Sequence, residues 1–152
     1  MGLIDSFHGK LVALDASILI YEIEDHPQYA PILHPFFLAA KAGRFNFVAS
    51  TQALAEVLPL PMRRSDSELI NKFYATMLFS ASMKLYDVTQ EIAIRAARLR
   101  ADYNLKTPDA IHLATALETG AAIFITNDAE FFRQKLLPEP IDLEILGISS
   151  FM

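Results

Sequence analysis

The chain has 152 residues, a formal charge of −5, 53% hydrophobic residues and no cysteine. That length suits a single domain, residues 1–152, with a large buried core, and the hydrophobic share, above the roughly 45–50% of ordinary soluble domains, points to buried interface and self-association. Disulfides and thiolate-bound zinc are excluded, so any metal is held by oxygen or imidazole, and the acidic balance excludes a protein that coats nucleic acid nonspecifically.

In chain order, apolar runs and turn residues alternate between two periods. Residues 11–14 read as a strand, followed by helical stretches at 17–24 and 29–42, the second broken by Pro31 and Pro35. A strand at 45–49 leads into a helix at 50–58, which Pro59-Leu60-Pro61 breaks, and a further helix at 66–82. A strand at 85–88 and a helix at 90–103, started by Thr89 and Glu91, come next. The helix at 108–119 has Thr107 at its N-cap, Pro108 at its first position and Gly120 as its stop. A strand at 122–126, a short helix at 128–135 and a strand at 141–146 complete the chain. This rhythm predicts an α/β fold: a three-layer α/β/α sandwich around a mostly parallel central sheet of about five strands. No apolar run reaches the about 20 residues of a bilayer span, and Met1-Gly2-Leu3-Ile4-Asp5 lacks the pattern of a signal peptide, so a cytoplasmic protein without membrane contact is expected.

Three aspartates stand where an apolar run gives way to a helix. Asp15 ends the first strand, Asp128 follows Thr126-Asn127 after the fourth, and Asp109 lies in the first turn of its helix. Ligands of open parallel sheets bind outside the carboxyl ends of the strands, the edge where Asp15 and Asp128 fall. With Glu56 these are four acids that a fold of this kind can gather, and gathered carboxylates repel one another unless a hard divalent cation holds them. Taken singly, each aspartate reads first as a helix cap and Glu56 as a solvent-facing residue, and it is their conjunction that points to a site. Ser17, Thr126 and Asn127 are placed to orient the carboxylates by hydrogen bonds. Arg63, Arg64, Lys41, Arg44 and Lys106 are candidates for a local basic rim. His112, one turn beyond Asp109, reads as a packed core histidine rather than a general base, and Phe36-Phe37 and Phe131-Phe132 as core rather than stacking platforms.

Four blocks carry a resemblance. They are Val12-Ala13-Leu14-Asp15-Ala16-Ser17-Ile18-Leu19-Ile20, Ser50-Thr51-Gln52-Ala53-Leu54-Ala55-Glu56-Val57, Leu105-Lys106-Thr107-Pro108-Asp109-Ala110-Ile111-His112-Leu113-Ala114-Thr115-Ala116 and Phe124-Ile125-Thr126-Asn127-Asp128-Ala129-Glu130-Phe131. In these the chain resembles the PIN-domain ribonucleases, particularly the VapC-like toxins of toxin–antitoxin pairs. The resemblance implies that Asp15, Glu56, Asp109 and Asp128 form an acidic pocket for one or two Mg²⁺ or Mn²⁺ ions. It further implies an endoribonuclease acting on RNA, often a homodimer, restrained by a small antitoxin protein. Where many relatives carry Asp-Thr-Asn, this chain has Asp15-Ala16-Ser17, whose serine still donates a hydrogen bond. Two other functions compete: a catalytically degenerate PIN-like module that binds RNA or protein, and a phosphatase with Asp15 as nucleophile, for which Ser17 stands where a second aspartate is needed.

Overall fold

The computed structural model describes residues 2–133 and 143–151. Five strands, β1 (Leu11–Leu14), β2 (Asn46–Ser50), β3 (Met83–Tyr86), β4 (Ile123–Thr126) and β5 (Glu144–Gly147), form one sheet in the order β3-β2-β1-β4-β5 with every neighbouring pair parallel. The order reverses at β1: β2 and β3 wind away on one side, β4 and β5 on the other. β1 is pinned in register on both edges, Ala13 facing Val48 of β2 and Phe124 of β4.

The helices are α1 (Leu3–Ser6), α2 (Ala16–Ile23), α3 (Ala30–Lys41), α4 (Gln52–Val57), α5 (Pro59–Arg63), α6 (Ser67–Met77), α7 (Gln90–Asp102), α8 (Thr107–Glu118) and α9 (Glu130–Arg133), with a 3-10 turn over Ile148–Phe151. Because side chains alternate along a strand, the central strands feed two cores. Val12, Leu14, Phe47, Ala49, Ile123 and Ile125 enter one, shared with buried residues of α2, α3, α4 and α6. Ala13, Val48 and Phe124 enter the other, against α7 and α8. The α/β/α sandwich read from the sequence is therefore the observed architecture.

Several boundaries differ from those expected. α3 runs unbroken through Pro35. Pro31 sits in its first turn, and Pro35 lies on the exposed face, where the carbonyl of Pro31 that it leaves unpaired can meet water, while buried Leu33, Phe36, Ala39 and Ala40 hold the other face to the core. α6 stops at Met77 rather than 82, because Ser80 and Ser82 hydrogen bond each other and the Ser82 carbonyl already takes the amide of Phe47 as strand pairing begins. β3 starts two residues early, since Met83 is the buried partner of Phe47 while Val88 is exposed. α8 begins at Thr107 with extended Lys106 before it, one residue ahead of the expected start. Its end is as expected: Gly120 has φ +72, and the Ala121 amide reaches back to the Ala116 carbonyl. Phe131 is buried against Phe124, ring centroids 5.3 Å apart, but Phe132 is exposed, so only half of that pair is core. Residues 134, 135, 141 and 142 of the expected last helix and strand lie outside the described residues.

Leu113 is fully enclosed between α8 and the sheet, and its helix carries Asp109. Leu113→Ala is expected to cost about 2–5 kcal/mol in urea denaturation; a loss below about 1 kcal/mol would show that α8 is not held by this contact.

Candidate active site

Asp15 caps α2 in extended conformation (φ −86°, ψ 173°), its Oδ1 accepting from the Ser17 amide at 2.9 Å and the Ile18 amide at 3.4 Å. The Ser17 hydroxyl donates to the same oxygen, and the Thr126 hydroxyl donates to Oδ2. The carboxylate is 5% exposed. Burial pushes its pKa up, and the hydrogen bonds of Ser17 and Thr126 pull it back. The serine of the Asp15-Ala16-Ser17 block thus does the orienting work expected of it, through both amide and hydroxyl. A carboxylate so enclosed, with both oxygens engaged, suits an anchor and not a phosphatase nucleophile.

Thr126 belongs to β4, directly beyond Ile125, the partner of Leu14 in β1. Its hydroxyl donates to Asp15 and accepts from the Asp128 amide at 3.0 Å, so one buried group ties the end of β1 to the turn after β4. Asp128 then caps α9 by accepting from the Glu130 amide at 2.9 Å. Asn127 reaches sideways, its Nδ2 donating to the Tyr21 hydroxyl at 3.0 Å.

Asp109, in the first turn of α8, completes the group. Its pKa is pushed up to about 7, first by burial, then by a hydrogen bond to the Asp128 carboxyl and by the charges of Asp128 and Asp15, with His112 opposing. Two carboxyls that hydrogen bond to each other need one proton between them. Glu56 approaches from α4, where His112 Nε2 contacts its Oε2 at 2.5 Å. These five side chains, with Ala16, Ser17, Tyr21 and Asn127, line one cleft of about 170 Å³. All four acids expected from the sequence therefore line one cleft, and for Asp15 and Asp128 capping and convergence are the same arrangement.

His112 and Tyr21 are cleft residues that the sequence reading did not assign to it. His112 is buried, as a core histidine should be, yet it borders the cleft; its position three residues after Asp109, on the same helical face, was the available signal. Of the basic-rim candidates, Arg44 pairs with Asp5 at 2.7 Å, and its carbonyl takes the Gly9 amide just before β1, at the amino edge of the sheet. Lys41, three residues earlier, lines a different groove. Arg63, Arg64 and Lys106 are exposed and remain.

The donor set fits a hard divalent cation in its chemistry, since it is all carboxylate oxygen, and in its electrostatics, since a cation would relieve the repulsion that holds a proton on Asp109 near neutrality. It is not closed around one: among the described residues no three acidic or histidine side chains are disposed as metal ligands.

A model of the PIN domain family matches residues 12–136. Among solved structures the chain is similar to VapBC2 from Rickettsia felis bound to a DNA fragment from their promoter, with TM-score 0.67 and 18% identity over 90% of this chain and 98% of that one. It is also similar to a toxin-antitoxin complex from Klebsiella pneumoniae, at TM-score 0.63 and 23% identity over 90% and 97%. The DNA-bound VapBC from Salmonella typhimurium gives 0.60 and 20% over 92% and 98%. At these identities the likeness is one of fold. No curated protein matches the sequence.

Two predictions follow from the hydrogen bonds and the raised carboxyl. Thr126→Val keeps the shape but strips both Asp15 and the Asp128 amide of a buried partner, and should cost about 1–3 kcal/mol in chemical denaturation. Asp109 releases its proton near its ordinary value of 3.8 when unfolded and at about 7 when folded. Between these values the folded state binds more protons, so this group's contribution makes the metal-free protein less stable as pH rises through that window. Thermal melts at about pH 5 and about pH 8 should show this decline, and Asp109→Asn should flatten it and raise the melting temperature at the higher pH by roughly 2–4 °C, the equivalent of about 1 kcal/mol. An identical pH dependence in the variant would remove Asp109 as its source.

Proposed function

This chain belongs to the PIN domain family, and on that footing we propose that it is a divalent-cation-dependent endoribonuclease, one PIN-like domain over residues 1–152, serving as the toxin of a toxin–antitoxin pair. The observation that carries the reading is the meeting of Asp15, Asp109 and Asp128 at the point where the sheet reverses its winding, pressed together strongly enough to hold Asp109 near pKa 7. Carboxylates alone would repel a phosphodiester, so a site built from them at a ligand-binding edge is suited to a cationic bridge.

Asp15, Asp109 and Asp128 would hold Mg²⁺ or Mn²⁺, with Glu56 as the fourth acid serving a second ion or orienting the attacking water. When bound, that ion supplies positive charge to the reacting oxygens and lowers the pKa of a water beside it. The chain's own part is positional. Ser17 and Thr126 fix Asp15 from two sides, Thr126 fixes the turn carrying Asp128, and Asp109 is the carboxyl whose proton a bound cation would displace. Arg63, Arg64 and Lys106 are the groups proposed to meet the substrate's remaining phosphates.

The partners are inferred from the same footing. The solved relatives are toxin–antitoxin and VapBC complexes, which supports a small antitoxin for this chain. Exposed Leu60, Met62, Phe79 and Ile94 offer apolar surface for it or for a homodimer. No helix among the described residues is long and apolar enough to cross a membrane, and a cytoplasmic setting suits an RNA target.

A second reading, a PIN-like module without catalysis, is favoured by the lack of a ready-made ligand trio. Purified protein incubated with RNA separates the two. Cleavage is expected with Mg²⁺ or Mn²⁺, is abolished by chelator, and falls about 100-fold or more in Asp109→Asn, equivalent to ~2.7 kcal/mol of transition-state stabilisation. Full cleavage in chelator, or by the variant, would sink the metal-dependent reading.

A further inference from the structure

Glu56 is the acid of the cleft that is tied to a base. The imidazole of His112 is 1% exposed against 31% for the glutamate side chain, and it stands on a helix whose adjoining Leu113 and Ala114 are fully enclosed. A ring so packed does not swing, so the position of His112 sets the position of Glu56. The Glu56 carboxylate can only accept, so Nε2 donates to it, while Nδ1 has no hydrogen-bond partner. The Nε2–H of the ring is therefore committed to Glu56.

Glu56 and the aspartates behave differently. Asp109 lies against Asp128 and near Asp15 in the cleft. Glu56 is instead held from the side by His112 through Oε2, and its Oε1 has no protein partner among the described residues. Resting on the nuclease reading above, we propose that His112 is a positioning residue: it keeps Glu56 out of the cation's ligand set and presents Oε1 to the water that attacks the phosphodiester. In that step the water oxygen forms the new P–O bond while the bond from phosphorus to the leaving ribose oxygen breaks. The water's proton passes to Glu56, the leaving oxygen takes a proton from solvent, and Glu56 later returns its own to solvent. The site is then three aspartates for the ion and a separate Glu56-His112 pair for the water.

The test combines Mn²⁺ titration calorimetry with RNA-cleavage kinetics on the whole chain. Asp109→Asn should weaken Mn²⁺ binding at least about tenfold, whereas Glu56→Gln and His112→Ala should change it by less than about twofold. Both should lower kcat by about 10–100-fold with KM unchanged, and the double variant should be no slower than Glu56→Gln alone, because the two residues act as one unit. His112→Gln, whose amide N–H can again donate to Glu56, should recover part of the loss. Tenfold weaker Mn²⁺ binding by Glu56→Gln, a change at a half-exposed side chain that leaves the core intact, would place Glu56 among the ligands and overturn the proposal. Unchanged kcat in His112→Ala would do the same, and if that variant does not fold, full activity in Glu56→Gln decides against it equally. A wild-type protein that binds Mn²⁺ but cuts no RNA would refute the nuclease reading and, with it, the assigned role in attack; the Glu56→Gln affinity would still decide where Glu56 stands. No Mn²⁺ binding at all would overturn both.

Discussion

Asp15 is a charged group set below the surface, 5% exposed, at the place where a parallel sheet changes its direction of winding. Removing a carboxylate from water is costly unless hydrogen bonds replace the lost hydration, and the surrounding structure supplies them from two directions. Ser17 and Ile18 donate from the start of α2, which turns the N-terminal end of a helix toward the charge. Thr126 donates from β4, which is possible only because β4 pairs beside β1 in the register that sets Ile125 against Leu14. The sheet order and the hydration of one carboxylate are thus parts of one arrangement.

The second aspartate pair is handled by the opposite means. Asp109 and Asp128 are not separated by donors; they face each other and keep a proton, which is why Asp109 titrates near 7. Asp15 has both oxygens engaged by the protein, whereas Asp128 accepts a single amide, from Glu130, and Asp109 is left to be balanced by positive charge. A proton serves, and a hard dication would serve better where it is available. This division explains how four acids share about 170 Å³ without a preformed ligand shell among the described residues: Asp15 is anchored, Glu56 is tethered to His112, Asp128 caps the turn before α9, and Asp109 holds its proton up to about 7.

How much of this could be read in advance depended on which physical signal each piece leaves in a linear sequence. The central strands β1 and β4 were legible because burial on both faces makes them continuous apolar runs, and the polar residues that follow them marked the site edge. Helix ends with strong local signals, such as Gly120, were legible for the same reason. Pro35 misled because the cost of a helical proline depends on which face it occupies, and that is set by packing of Leu33, Phe36, Ala39 and Ala40 far from it in energy terms but adjacent in sequence. The four-residue α1 carries too little pattern to be seen. Asp15, Asp109 and Asp128 were found from position alone, but the state of each depends on contacts across the fold. The contact between Glu56 and His112 spans 56 residues of chain, and no local rule connects them.

The convergence finally rests on small side chains. Where α8 meets the sheet, Ala110, Ala114 and Ala116 are fully buried, and the strand residue that enters the same core from β1 is Ala13. On the other face Ala53, also fully buried, performs the same service for α4, the helix that carries Glu56. Alanine lets a helix axis approach a sheet more closely than leucine would, and interior packing transmits any added volume as displacement. Asp109 and His112 project from the same helix as those alanines, so the distance from α8 to β1 fixes how near the Asp109 carboxyl comes to Asp15. The alanine-rich run of the third block, which looks like mere helix propensity, is therefore part of what sets the electrostatics of the cleft: loosen that contact and the acids separate, the shared proton loses its second carboxyl, and the demand for a cation weakens with it.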